Sequence, residues 1–413
     1  MTKKGEIMDS IKAKMGGVRG YLSLPQTEAT NRTYVLLILV AYIFSIAIHA
    51  YWFKVFGGNE IFKFNGEYII TSPDGWFFGK GAKDALAGAV GIADGNMQVA
   101  SLAKLAAVLK SVLPFLSLET IMFYSPVVIG SLSVIPLVLI GRLYSQPIFG
   151  LLSALFVVSL PGFYGRMGFG YFDDDLLTLQ MPLWVLYATL LVAKTQNTKN
   201  LIFLGLTVLF YQWWYPKSFS IISALAIMLF IYTLLFDRRR FGLYLAVGVM
   251  LLGLSDMPLW MRLASVLFIS YFYDTFALMS QKARAVLLLS IIAIFAMLGG
   301  FEPMVGPFKM YFFRSVADSG GGELGLHYFT SLKTVSESMG LSFDRVMQMS
   351  AVSHLVFYIA IASFVFMLFV EPRLVMTLPF LAVGLLSIDS GSRFVAYSNM
   401  AIGISLAFMC GYV

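Results

Sequence analysis

Residues 168–175 read Gly168-Phe169-Gly170-Tyr171-Phe172-Asp173-Asp174-Asp175. The three consecutive carboxylates stand between two long apolar runs, Ser145 to Tyr164 before them and Leu176 to Ala193 after. Each run is long enough to cross a bilayer as a helix, which puts the acids in the turn joining two membrane spans. Ionised groups beside hydrocarbon are costly and mark functional positions. Asp173 and Asp175 are two apart, so in an extended or tight-turn backbone their side chains can converge on one hard cation, which prefers several oxygen ligands. The plainer alternative is a polar turn at the membrane edge that keeps three acids solvated, since Asp-x-Asp is short and matches by chance.

The rest of the chain fits that setting. Its 413 residues are 59% hydrophobic and 12% charged, against roughly 25% charged in soluble domains. Apolar stretches of about 20 residues recur along the whole length. Backbone groups in lipid must be satisfied internally, so the spans are helices, and the short alternating segments of a membrane β-barrel are absent. The fold class is therefore an all-α polytopic membrane protein embedded in a lipid bilayer. The single cysteine, Cys410, excludes an internal disulfide framework. The net charge of +7 sits in short loops between spans and does not point to nucleic acid. No cleavable signal peptide is visible before the first span.

Loop charges orient the spans. Residues 1–33 carry Lys3, Lys4, Lys12, Lys14 and Arg19, which places the N-terminal segment in the cytoplasm. Residues 34–413 then form a transmembrane domain of about twelve helices. Two long external loops are expected, about 54–118 and 301–350. The first has a glycine- and alanine-rich part suited to short interfacial helices. Arg142, Lys194, Lys199, Asp237-Arg238-Arg239-Arg240, Lys282, Arg284 and Glu371-Pro372-Arg373 mark the inner side. By this count Asp74, the 173–175 turn, Tyr215, the 301–350 loop and Arg393 all fall on the external side.

Several polar groups thus share one membrane face: Asp74, Asp173, Asp175, Glu337 and Arg393. Carboxylates close together repel unless a cation holds them, and a divalent ion is the usual solution. An arginine nearby suits a phosphate, because its planar fork binds anionic oxygens in pairs. Metal plus arginine at a membrane surface points to a lipid-phosphate substrate. Each member has a plainer reading. Asp74 in Pro-Asp-Gly suits a β-turn, Glu337 can close a capping box with Thr334, and Arg393 can be a snorkelling anchor. Trp213, Trp214 and Tyr215 can be interfacial belt residues. His49, His327 and His354 lack metal-ligand spacing. No Ser-His-Asp order, P-loop or dinucleotide fingerprint appears.

From about residue 40 onward the chain resembles the catalytic subunit of asparagine-linked oligosaccharyltransferase, most closely the bacterial single-subunit type. The resemblance rests on Ser72-Pro73-Asp74-Gly75-Trp76 with Gly81-Ala82-Lys83-Asp84, on Gly165-Arg166-Met167 running into the Asp173 turn, and on Trp213-Trp214-Tyr215-Pro216. It continues with Lys309 to Arg314, Thr334-Val335-Ser336-Glu337 and Gly391-Ser392-Arg393-Phe394. It implies a membrane glycosyltransferase (GT-C) fold. It also implies transfer of an oligosaccharide from a polyprenyl (pyro)phosphate to the side-chain amide of an acceptor polypeptide carrying Asn-x-Ser/Thr. By resemblance Asp74 contacts the metal and the acceptor amide, Asp173 and Asp175 are the paired metal-site acids, and Glu337 on a mobile loop contacts the same amide. Arg393 binds phosphate, Arg166 stands behind the metal acids, and Tyr215 contacts the first sugar. The implied cofactor is a divalent metal ion, Mn²⁺ or Mg²⁺.

Two features depart from the family pattern. The Trp-Trp-Asp motif that reads the +2 Ser/Thr belongs to a C-terminal domain, and that sequon-reading domain is expected to be absent here. Some bacterial members bind an acid at acceptor position −2 through an arginine twelve residues after the loop glutamate; counting from Glu337 gives Met349. Two alternatives remain from the residues. One is another glycosyltransferase of the same fold, which would place its diagnostic acids in the first external loop rather than the second. The other is a transporter, which would show mid-span polar groups and internal repeats.

Overall fold

The structure is a computed structural model that describes residues 27, 29–88, 101–302 and 339–412. It is helical apart from one small hairpin. Helix α1, Asn31–Phe56, begins where the Thr30 hydroxyl accepts the Thr33 amide at 3.2 Å. Strands β1 (Lys63–Phe64) and β2 (Glu67–Tyr68) pair antiparallel, Lys63 opposite Tyr68. Asn65 and Gly66, at φ +50° and +80°, make the two-residue turn between them. Helices α2 (Pro73–Leu86) and α3 (Ser101–Val112) complete the described part of the first expected loop. Pro73-Asp74-Gly75 is thus a helix start, not a β-turn. Proline at the first helical position has the right φ and no amide to leave unsatisfied.

The apolar helices follow. They are α4 (Leu118–Gly130), α5 (Val134–Leu143), α6 (Pro147–Ser159), a turn α7 (Asp175–Thr178), α8 (Met181–Lys194) and α9 (Thr198–Trp214). Then come α10 (Phe219–Phe236), α11 (Phe241–Leu254), α12 (Leu259–Tyr271) and α13 (Gln281–Met297). The chain ends with α14 (Phe343–Ala351), α15 (His354–Val370), α16 (Leu378–Leu385) and α17 (Val395–Tyr412).

Among the described residues five stretches are long and apolar enough to cross a membrane: Asn31–Tyr51, Leu118–Leu143, Asp175–Lys194, Pro216–Phe236 and Ser392–Tyr412. The α14–α15 pair makes a sixth if its 75° bend is counted within one span. Helices α6, α11 and α12 are shorter. At 1.5 Å per residue, the 14 residues of α11 reach only about 21 Å. Prolines account for several of these breaks: Pro147, Pro161, Pro182, Pro216 and Pro372 each sit in a first helical turn. The chain is a multi-pass membrane protein.

Helix α17 lies at the centre, buried along most of its length between α6, α15 and α16. Lipid-embedded helices gain little from hydrophobic exclusion and instead rely on close backbone approach at small residues. Gly384 of α16 faces Ser398, where an added Cβ would lie 2.7 Å from the Ser398 Cα, and Gly403 meets the Val157 backbone in the same way. Helix α1 is the contrast. Only 22% of its span is buried, and Leu36, Leu39 and Ile43 are exposed, as suits a lipid-facing edge.

Candidate functional site

The acid turn is folded around one aromatic residue of α4. The Gly170 amide donates to the Phe123 carbonyl at 2.9 Å, and the Phe123 ring stacks on Phe169 at 5.8 Å. Gly170 has φ +78°, and a Cβ there would lie 3.1 Å from the same ring, so both its backbone angle and its surroundings require glycine. The Gly170 carbonyl then accepts the Thr71 amide at 2.9 Å, which ties the turn to the residues leading into α2. Gly75 closes the joint. An added Cβ would come within 2.8 Å of the Phe172 carbonyl and 2.6 Å of Ile70 Cγ2. Asp74, exposed in the first turn of α2, is thereby held beside the acids and acts electrostatically on Asp174. Lys83, further along α2, pairs with Glu119 of α4 at 2.6 Å and fixes the helix from its other end.

Within the turn the three carboxylates have different surroundings. Asp173 is 8% exposed, and its Oδ1 accepts the Asp174 amide at 2.6 Å. Asp175 Oδ2 accepts from Arg166 at 2.8 Å, and Arg166 also donates to the Tyr171 hydroxyl at 2.8 Å. Burial, then repulsion from Asp175 and Asp174, pushes the Asp173 carboxyl well above the usual range. Burial and Asp175 raise Asp174 as well, against the opposing help of the Asp173 hydrogen bond and Lys217. Asp173 and Asp174 resist ionisation first because they are buried and then because their neighbours are also acids.

A third layer comes from the end of α9. The Trp214 indole N–H donates to the Asp174 carbonyl at 3.2 Å, and the buried Tyr211 hydroxyl donates to the Thr178 carbonyl at 3.2 Å. Trp214 is 6% exposed and supports the acid turn, whereas Trp213 at 45% is open in the manner of a belt residue. Tyr215 caps α9. Burial raises its phenol, with Tyr397 and Asp174 adding to the effect and Arg393 opposing it. Arg393 sits on the helical turn Ser392–Phe394 at the entrance to α17. Asp74, Asp173, Asp174, Asp175, Arg166, Tyr215 and Arg393 therefore belong to one neighbourhood. Glu337, with the Lys309–Arg314 and Thr334–Glu337 motifs, lies outside the described residues.

Among the described residues no three His, Cys, Asp or Glu side chains stand close enough together to hold a metal ion. Asp175 is turned to Arg166, and Asp173 Oδ1 accepts the Asp174 amide. The donor chemistry nonetheless fits a hard divalent cation: the available ligands are carboxylate oxygens, crowded enough to raise one another's protonation.

Residues 38–412 match the family model described as oligosaccharyl transferase STT3, N-terminal. The chain belongs to this family. It is 32% identical over 380 residues to the undecaprenyl-diphosphooligosaccharide–protein glycotransferase of Campylobacter jejuni serotype O:2, covering 90% of this chain and 52% of that protein. The corresponding protein of Campylobacter jejuni strain RM1221 is 31% identical over 378 residues. The STT3-family chain spans about half the length of the curated relatives it matches. Among solved structures it is similar to the Archaeoglobus fulgidus oligosaccharyltransferase AglB. The complex with an inhibitory peptide and a dolichol-phosphate gives a TM-score of 0.57 at 14% identity, covering 91% of this chain and 50% of that one. The apo form gives 0.59, also at 14% identity, over 91% of this chain and 50% of that one. The complex with zinc and sulfate gives 0.55 at 14% identity, over 90% of this chain and 48% of that one. At this identity the likeness is one of fold.

Sequence reasoning gave no role to Asp174, Gly75, Lys217 or Tyr397 of this STT3-family site. Asp174 was visible only as the middle of a triplet. Gly75 and Tyr397 act through packing that no local motif encodes. Lys217 had one signal, its place two residues after Tyr215.

Proposed function

We propose that this chain is the membrane catalytic portion of an enzyme that transfers an oligosaccharide from a polyprenyl (pyro)phosphate carrier to the Asn amide of Asn-x-Ser/Thr. The observation that carries this reading is the meeting of the Asp74 helix start, the 173–175 turn, Tyr215 and Arg393 in a chain of the oligosaccharyl transferase family. The nearness of Asp74 to Asp174 and of Arg393 to Tyr215 supports that reading. The finer organisation belongs to the same proposal. It comprises about twelve spans, a cytoplasmic segment 1–33, external loops near 54–118 and 301–350, and the active site on the external face.

An amide nitrogen is a poor nucleophile because its lone pair is delocalised into the carbonyl. Asp74 and Glu337 accept the two amide N–H bonds and hold the nitrogen turned out of conjugation, so that part of the barrier is met by positioning. Arg393 donates to the phosphate as negative charge develops on the leaving group. Tyr215 presents its hydroxyl to the first sugar. Arg166 holds Asp175 and so fixes one flank of the acid turn. Asp74, Asp173, Asp175 and Glu337 are the residues that would hold Mn²⁺ or Mg²⁺; when bound, the ion supplies positive charge that fixes the carboxylates and stabilises the leaving phosphate.

The test is Asp173→Ala and, separately, Glu337→Ala in the full gene product. Transfer from lipid-linked glycan to an Asn-x-Thr peptide should fall at least about 100-fold in each, with membrane insertion unchanged. Near-normal transfer by either variant removes that residue from the mechanism. The acid turn also argues against the other glycosyltransferase reading, because it lies in the second external turn rather than the first.

A further inference from the structure

Lys217 is a cation at the acid site that neither the motif nor the mechanism uses. It lies on the helical turn Pro216–Ser218, directly after Tyr215. That turn is rigid. The Ser218 amide donates to the Tyr215 carbonyl at 2.9 Å, and the fully buried Ser218 hydroxyl donates to Gln212 Oε1 at 2.8 Å. One residue upstream of Tyr215, Trp214 is bonded to the Asp174 carbonyl. The pedestal that carries Lys217 is therefore fixed to the acid turn itself. The side chain is exposed, and among the described residues its ammonium forms no ion pair. It is close enough to Asp174 to favour that carboxyl's ionised form.

The local charges define what an uncommitted lysine can do here. Four acids, Asp74, Asp173, Asp174 and Asp175, crowd this site, and Arg166 already holds Asp175 at 2.8 Å. Arg393 and Lys217 both lie near Tyr215, on separate turns. A diphosphate diester carries two ionised phosphoryl groups and must approach this acidic ground. One arginine fork covers one phosphoryl group; a lysine binds the other as a point charge. We propose that Lys217 is a second phosphate-binding cation of this site, acting with Arg393 so that a diphosphate carrier is held in preference to a monophosphate carrier; this rests on the donor reading above.

The probes are undecaprenyl diphosphate and undecaprenyl monophosphate, each displacing a fluorescent lipid-linked glycan from the purified chain with Mn²⁺ or Mg²⁺ present. The unaltered chain should hold the diphosphate more tightly. Lys217→Gln should weaken the diphosphate about tenfold, as for loss of one charged hydrogen bond, and the monophosphate less than about twofold. Lys217→Arg should keep most of the diphosphate affinity, and Arg393→Gln should weaken both carriers. Equal weakening of both carriers by Lys217→Gln, or weakening of neither, overturns the proposal and leaves the donor reading standing. Failure of the unaltered chain to bind either carrier overturns the donor reading and this proposal together. The melting temperature of Lys217→Gln should match the parent, because the side chain is exposed.

Discussion

Arg166 and Asp175 meet at 2.8 Å with side chains 13% and 17% exposed, so each compensates in part for the other's leaving water. Arg166→Gln should cost about 2 kcal/mol of stability, in the range of a charged hydrogen bond lost from a part-buried site. Asp175→Asn should cost a similar amount, and the double variant should cost clearly less than the two added, read as a thermal-unfolding cycle. Full additivity would mean that the contact contributes nothing. Asp173 makes a pH prediction. Its folded-state carboxyl is raised, so the folded chain binds the proton more tightly than the unfolded one, whose value is near 4. The stability linked to that proton is complete below about pH 4 and is lost as pH rises through the elevated folded value. With chelator present, the melting temperature should fall as pH is raised above 5, and Asp173→Asn should flatten the slope. At this scale the sequence was informative where chemistry is carried by residue type. Three adjacent acids and a nearby arginine are visible in one line of text. Which acid takes the arginine and which takes a backbone amide is decided by the turn, and only the structure assigns Asp175 to Arg166.

The element that brings Asp74 to the acids is α2, and its seat is Gly75 against the Phe172 carbonyl. Gly75→Ala puts a Cβ into backbone that cannot swing aside, so α2 must shift. Transfer should drop about tenfold or more, because displacing a positioned group by a fraction of an ångström weakens its catalytic contact. Gly79→Ala is the control on the same helix. Its Cβ meets the Met122 Cε and Sδ atoms, the far end of a flexible side chain, and activity should stay within about twofold. Equal losses from the two variants would remove the special role of the Gly75 seat. Element boundaries were less legible than residues. Pro73-Asp74-Gly75 satisfies both a turn and a helix start, and only the contact of Gly75 with Phe172 shows why the helix begins there. Trp214 has the composition of a belt residue, but its indole N–H is used inside the protein. Hydropathy located the apolar stretches well, yet it could not show that α6, which starts at Pro147, and α11 and α12 are shorter than a full crossing.

For the whole molecule, the proposed acceptor contacts include Glu337, which lies outside the described residues. One consequence can still be stated from α14. Met349 stands where the family resemblance implies an arginine for an acceptor acid at −2, and a thioether cannot pair with a carboxylate. Peptides with Asp or Ala at −2 should differ less than about tenfold in transfer, or 1.4 kcal/mol. A larger preference for Asp would point to Arg345, one turn earlier on α14 and exposed.

The central claim is that the acid turn, the Asp74 helix start and Arg393 form one site for transfer to an amide. The most direct measurement incubates the full gene product with lipid-linked glycan and a peptide bearing one Asn-x-Thr, then maps the modified atom by fragmentation mass spectrometry. The account predicts glycan on the Asn side-chain nitrogen, lost with chelator and lost with Asp173→Ala or Arg393→Gln. Glycan attached to the Thr hydroxyl, or undiminished Asn modification by both variants, would contradict it.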